Sequence, residues 1–149
     1  IDFGEEPGEG EGTSEDDPGE NESSSDKNFS FDAEGFANTA FDLINEARQN
    51  KGLHTVEMSS DAMALAEMRV PELEEKYSHT RPDGTRMSKE YLCGEIINEN
   101  ADTPEIAVSS WLDSPTHYDI IMAERYHGAG IACCKGTNGV IYWCMLFFR

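Results

Sequence analysis

The stretch Gly128–Phe148, GAGIACCKGTNGVIYWCMLFF, contains two apolar, β-rich runs on either side of the turn cluster Gly136-Thr-Asn-Gly139. Two such runs joined by a short turn that contains glycine predict a β-hairpin. The helical patterns all precede this hairpin in the chain. That order predicts an α+β domain in which a central antiparallel sheet is covered by helices.

Upstream of the hairpin, two longer segments have the apolar spacing of amphipathic helices. The first ends before Gly52, a typical stop signal. The second is predicted to begin with Ser60 as its N-cap and to reach Tyr77, with a kink at Pro71, because proline lacks the N–H that the helix needs. Their apolar positions are Phe36, Ala40, Leu43, Ile44 and Ala47 in the first and Met63, Ala66, Val70, Leu73 and Tyr77 in the second.

Shorter elements follow the second helix. A short helix is predicted over 87–91 and a strand over 93–97. One further helix is predicted to begin at Thr103, with Pro104 in the first turn, where proline is tolerated. Ser114-Pro115 repeats this start signal and predicts a short helix from Thr116 to Ala123.

The negative charge lies mainly in the first 34 residues. The chain has a net charge of −19, of which residues 1–34 carry −12. This segment is rich in Gly, Ser, Asp and Glu and has too few apolar side chains to offset the entropy of ordering it. We therefore predict a disordered acidic linker at 1–34 and one folded domain at 35–149. The excess of acid argues against a nucleic-acid partner, because no basic stripe could neutralise phosphates.

The sequence also bears on localisation. No apolar run is long enough to span a bilayer, so we predict no transmembrane segment in this chain. Because the sequence begins with Ile1 rather than methionine, we expect it to have been processed. Linkers of this composition commonly separate a domain from a membrane anchor or cell wall. We expect an extracellular domain, either secreted or tethered to the cell surface through the linker.

The cysteines are predicted to form one or two disulfides in an oxidising compartment. They are Cys93, Cys133, Cys134 and Cys144. Their spacing fits neither a zinc ribbon nor a CxxC motif. A bond between the adjacent Cys133 and Cys134 would strain the peptide, so we favour a bond from Cys93 to one of that pair.

Two histidines lie at element boundaries beside proline turns. His79 precedes an Arg-Pro-Asp-Gly turn, and His117 follows a Ser-Pro pair. Residues on loops held by rigid neighbours often form binding sites. With Glu95 they would supply two imidazoles and a carboxylate, which suits Zn²⁺ or an acid and base pair. An ordinary surface or core role stays open for each, and it is the role we assign to His54 and His127.

Six motifs follow one another between Asn45 and Phe147, within a resemblance that covers about residues 36–148. They are Asn45-Glu-Ala-Arg48 with Gly52-Leu53, Ser78 to Gly84, Gly94-Glu95-Ile96-Ile97, Trp111 to His117, Gly128-Ala-Gly130, and Tyr142 to Phe147. In this order they resemble the CAP superfamily (cysteine-rich secretory proteins, antigen 5 and pathogenesis-related 1; the SCP-like extracellular domain) in its short bacterial form. The resemblance implies an α-β-α sandwich.

The resemblance also implies a cleft lined by two histidines and two glutamates, which in some members holds a divalent metal such as zinc. Matched by motif, the metal ligands fall on His79, Glu95 and His117. The second glutamate falls on Ser114, which has no carboxylate, and Asp113 beside it is the alternative. We interpret Ser114 as a helix N-cap rather than a nucleophile.

Two departures from the family pattern affect the expected chemistry. Ile96 and Met145 stand where the family usually has Asn and Gln, so we expect the cleft to lose polar partners. The leading hypothesis is a binding module for a small ligand or an extracellular protein. The alternatives are a metal-dependent hydrolase with Glu95 as ligand or base, lipid or sterol binding, and a structural role at the surface. Whether the protein is an enzyme is left open.

Overall fold

The computed structural model describes residues 31–149. Residues 1–30 of the predicted linker therefore lie outside the described part of the chain. The first helix already begins at Ala33, inside the predicted linker. The elements are α1 (Ala33–Asn50), β1 (Glu57–Met58), α2 (Ser60–Glu75), α3 (Met87–Glu90), β2 (Gly94–Glu99), α4 (Pro104–Leu112), α5 (Pro115–Ile121), β3 (Gly128–Lys135) and β4 (Ile141–Phe148).

The predicted hairpin forms the centre of a four-stranded sheet with the order β1-β3-β4-β2. β3 and β4 pair antiparallel from Gly128 opposite Phe148 to Lys135 opposite Ile141. β2 pairs antiparallel with β4, and the two-residue β1 pairs parallel with β3. The α+β fold with a central sheet between helices is confirmed, and β1 makes that sheet mixed.

Alternation along the strands divides the core between two faces of the sheet. Tyr142, Cys144 and Leu146 of β4 pack with Val70 and Leu73 of α2. The side chains of β4 that alternate with these three point to the opposite face of the sheet. On that face α1 contacts both β3 and α4. The sheet therefore lies between α2 on one side and α1 with α4 on the other.

Local signals place most helix ends where the sequence predicts them. Thr103 caps α4 by accepting a hydrogen bond from the Ile106 N–H at 3.1 Å. The cap of α2 is Ser59 rather than Ser60, and its hydroxyl accepts from the Ala62 N–H at 3.2 Å. The prediction that α2 reaches Tyr77 is wrong, because the helix ends at Glu75 and Tyr77 is exposed.

The expected disulfides are absent from the part of the chain that the structure describes, where Cys93, Cys133, Cys134 and Cys144 are free thiols. Cys93 directly precedes β2. In the sheet, β4 lies between β2 and β3, the strand that carries Cys133 and Cys134. Two strand spacings amount to about 9–10 Å, which exceeds the reach of a disulfide. Burial raises the pKa of the Cys93 thiol to about 11, so this cysteine is a core residue and not a reactive group.

The first motif, Asn45 to Arg48, has a structural role. The Asn45 side chain exchanges two hydrogen bonds with the backbone of Val56, at 2.9 and 2.8 Å. The Arg48 guanidinium is fully buried and donates to the carbonyls of Ile121 and Ala123 at 2.6 and 3.0 Å. These carbonyls lie at the C-terminal end of α5, where a cation is favourable. Arg48 thus fixes the position of the helix that carries His117.

None of the helices among residues 31–149 is long and apolar enough to cross a membrane.

Candidate functional site

The turn that carries His79 is held by its own hydrogen bonds. The Arg81 N–H donates to the Thr85 carbonyl at 2.8 Å, and Gly84 adopts a φ of +90°, which favours glycine. Outside the turn, the Arg81 guanidinium donates to both carboxylate oxygens of Glu72 on α2, at 3.0 and 2.9 Å. A bidentate pair of this kind fixes orientation as well as distance. The segment after α2 is therefore tied back to that helix.

Arg69 lies beneath the turn and is completely buried. Its Nε donates to Glu95 Oε2 at 2.7 Å, and its Nη2 donates to the Ser78 carbonyl at 2.5 Å. Its Nη1 lies 3.4 Å from Glu72 Oε1. One guanidinium thus joins α2, the turn and β2.

Glu95 of β2 has only 3% of its side chain exposed, and both of its oxygens are used. Oε2 accepts from Arg69, while Oε1 lies 2.7 Å from His79 Nδ1. Burial alone would raise the pKa of Glu95, but the hydrogen bonds from His79 and Arg69 hold it below its usual value. The carboxylate is therefore ionised and can only accept hydrogen bonds.

His79 is the exposed end of this chain of contacts, with 42% of its side chain accessible. Since Glu95 only accepts, Nδ1 of His79 must carry the proton in their 2.7 Å hydrogen bond. In the neutral ring the lone pair is then on Nε2, at the far side of the imidazole from Glu95. Metal-binding histidines are commonly oriented by a carboxylate in this way.

His117 lies on α5 and is half-buried. Among residues 31–149 its Nδ1 is a buried side-chain nitrogen with no hydrogen-bond partner. Burial lowers the pKa of His117, and a charge on His79 lowers it further. An unsatisfied buried nitrogen is costly, and such a group needs an explanation.

The other predicted cleft residues have different positions. Ser114 is at the N-cap position of α5, but its side chain makes no cap hydrogen bond and lies 3.5 Å from the Thr116 hydroxyl. Asp113 is exposed and ends α4.

The expected loss of polar partners at Ile96 and Met145 does not affect the cleft. These residues pair across β2 and β4 and are both fully buried. Since successive side chains alternate between faces, Ile96 points away from the face that carries Glu95. Both residues belong to the core on the side of α1, and the prediction that they alter the cleft is wrong.

Sequence reasoning missed Arg69, although the sequence contained a signal for it. The buried residues of α2 are Ala62, Ala66, Arg69, Val70 and Leu73. A charged residue within such an apolar stripe predicts a buried partner of opposite charge. The identity of the partner, Glu95, could not follow from the pattern, because it lies 26 residues further along the chain.

Within the described range, no group of three or more His, Cys, Asp or Glu side chains is arranged to hold a metal ion. Glu95 is engaged by Arg69 and His79, as the hydrogen bonds above show. Unengaged imidazole nitrogens remain on His79 and His117.

The free energy of unfolding is expected to fall as the pH drops below about 6.5. The folded protein lowers the pKa of His117 below 6.5, so the unfolded chain binds that proton first and is favoured by acid. Protonation of Glu95 also lowers the free energy of unfolding, but at a lower pH. Its pKa is below 4.5 in the fold, so its contribution is present above 4.5 and is lost as the pH falls through the folded value.

Urea denaturation as a function of pH would check this prediction, with the His117→Gln variant as the control. The variant should lose the decline that begins below 6.5 and keep the one below 4.5. An unchanged profile in His117→Gln would contradict the assignment to this histidine.

Comparison with known families gives a match over most of the described domain. Residues 41–147 match the family model described as CAP, the cysteine-rich secretory protein family. No curated protein matches the sequence.

Several solved structures share the fold at low sequence identity. An outer surface protein of Borrelia burgdorferi is 22% identical with a TM-score of 0.66, over 74% of this chain and 89% of that one. An extracellular protein from Bacillus anthracis that contains an SCP domain is 22% identical with a TM-score of 0.65, over 78% of this chain and 41% of that one. A cysteine-rich secretory protein from Staphylococcus aureus is 18% identical with a TM-score of 0.63, over 79% and 40%. This chain therefore spans about two fifths of the last two proteins.

Proposed function

Because the chain belongs to the CAP family of cysteine-rich secretory proteins, we propose that it is an extracellular binding domain with a divalent metal site, such as a zinc site, at His79 and His117. The proposed ligand is a small molecule or an extracellular protein. Glu95 has the role of orienting His79 and is not itself a ligand.

The observation that carries this proposal is the buried, unpartnered Nδ1 of His117. A nitrogen in this state is suited to accept a bond from a ligand or a metal ion. His79 complements it, because its hydrogen bond to Glu95 directs the lone pair of the neutral ring to Nε2.

The donor set fits a weakly held ion. Imidazole nitrogen is a good ligand for Zn²⁺ and related ions. Two protein ligands leave further coordination positions for water or for groups of a bound partner. A divalent ion at this position would supply positive charge to fix an anionic or carbonyl group.

The same contacts favour binding over hydrolysis. A general base must be able to take up a proton near the working pH. Glu95 has a lowered pKa, and both of its oxygens already accept hydrogen bonds. These features support an orienting role for Glu95.

The extracellular location is proposed from two observations. The matching family is described as secretory. Two of the similar folds belong to an outer surface protein and an extracellular protein. Tethering through the acidic N-terminal segment remains part of this proposal.

Zinc titration by calorimetry would test the site. The His79→Ala and His117→Ala variants are each expected to bind zinc at least about tenfold more weakly than the parent protein, a loss of roughly 1.4 kcal/mol or more. His127→Ala is the matched control, because His127 is exposed and stacks on His54 at 4.5 Å, forming a separate histidine pair. Equal affinity in all four proteins would overturn the metal site, and loss in His127→Ala alone would assign zinc to the other pair.

A further inference from the structure

Arg69 contacts the surroundings of His79 at two separate points. Its Nη2 donates to the carbonyl of Ser78, the residue directly before His79, at 2.5 Å. Its Nε donates at 2.7 Å to Glu95, whose other oxygen holds His79 Nδ1 at 2.7 Å. The backbone beside His79 and the acceptor of its ring are thus both fixed by one guanidinium.

The geometry of arginine is needed for this double contact. The guanidinium is a rigid planar fork, so two donors on one group can face two acceptors at a fixed angle. Lysine carries the same charge on a single flexible ammonium and cannot reproduce the fork. Arg69 has no exposed surface, so it acts on the cleft only through the groups that it holds.

We propose that Arg69 is a positioning residue of the cleft, which holds Glu95 and the Ser78 carbonyl so that His79 keeps its proton on Nδ1 and presents Nε2 to the ligand. This inference rests on the proposed function in one respect: the expected consequence of the positioning is a stronger bond to a metal or ligand. The tautomer of His79 can be measured without either.

A second pair of contacts in the same turn provides a matched control. Arg81 donates to both oxygens of Glu72 and so ties the turn to α2, but its guanidinium contacts neither Glu95 nor the Ser78 carbonyl. Arg81→Met should loosen the turn without releasing the acceptor of His79. Comparing it with changes at Arg69 separates positioning of the ring from general loosening of the turn.

The test is long-range ¹H–¹⁵N NMR of metal-free protein, recorded over a pH series and read where the ¹⁵N shifts show a neutral His79 ring. The parent protein and Arg81→Met should show His79 as the Nδ1–H tautomer. Arg69→Lys and Arg69→Met should show a mixture of tautomers. Arg69→Lys keeps the buried positive charge, so it provides a folded variant if Arg69→Met is too unstable.

Zinc affinity provides the second measurement. Loss of an orienting contact typically weakens metal binding by about 10- to 100-fold, and this is expected for Arg69→Lys but not for Arg81→Met. The inference is overturned if His79 keeps one tautomer in both Arg69 variants, or if Arg81→Met shifts it equally. If the parent protein binds no zinc while the tautomer still responds to Arg69, the proposed function fails and the positioning role stands.

Discussion

Replacing Arg69 by methionine is expected to lower the free energy of unfolding by about 3–5 kcal/mol. The substitution keeps much of the buried volume but leaves Glu95 with 3% exposure and without its charged partner. Only the hydrogen bond from His79 then remains to offset the lost hydration of this buried carboxylate. The Ser78 carbonyl loses its donor as well.

Urea denaturation of a double-mutant cycle would measure this effect. Arg69→Met/Glu95→Leu removes both charges, and an apolar replacement of a buried ion pair is often close to neutral. The double variant should therefore be more stable than Arg69→Met alone. A loss below about 1 kcal/mol in the single variant would show that Glu95 is hydrated or protonated rather than paired with Arg69.

The parts of the fold that the sequence predicts depend on local chemistry. The hairpin follows from a glycine-rich turn between two apolar runs, and the start of α4 follows from Pro104 in the first turn after Thr103. Strand β1 could not be predicted, because two residues have no periodicity to detect. Its parallel pairing with β3 depends on the position of the connection between α1 and α2 in the fold.

In the candidate site, too, only the features that depend on local sequence could be predicted. The boundary positions of His79 and His117 are visible in the sequence, but the contact of His79 with Glu95 was suggested only by the family resemblance. The role of Glu95 depends on Arg69, and their contact joins two elements 26 residues apart. The disulfide prediction failed for a related reason, since cysteine spacing does not show that β4 separates Cys93 from β3.

Two fully buried arginines hold the segments that carry the two histidines. Arg69 binds groups beside His79, and Arg48 binds carbonyls at the end of the helix that carries His117. Each uses one guanidinium to satisfy several groups from separate elements. Both segments are thus supported from the interior, while the His79 side chain stays accessible.

The Gly130→Ala variant is expected to lose at least about 3 kcal/mol of stability, the upper part of the usual range for overpacking. A Cβ atom at this position would overlap with backbone atoms of Ala62 and Met63 in the first turn of α2. A flexible side chain could move aside, but helix backbone can do so only if α2 shifts away from the sheet. That shift would separate Val70 and Leu73 from their partners in β4.

Gly128→Ala is the matched control, because it adds the same methyl group two residues earlier in the same strand. Its Cβ would lie 3.6 Å from Ser59 Cβ and 3.7 Å from the Glu57 carbonyl, which are ordinary contacts. Thermal unfolding should lower the Tm of Gly130→Ala by on the order of 10 °C or more and leave Gly128→Ala within a few degrees of the parent. Equal losses in the two variants would mean that the strand, and not the approach of α2, requires glycine. The expected difference would show that close packing of α2 against β3 requires only Gly130 of the Gly-x-Gly motif, and the same packing positions Arg69 next to Glu95.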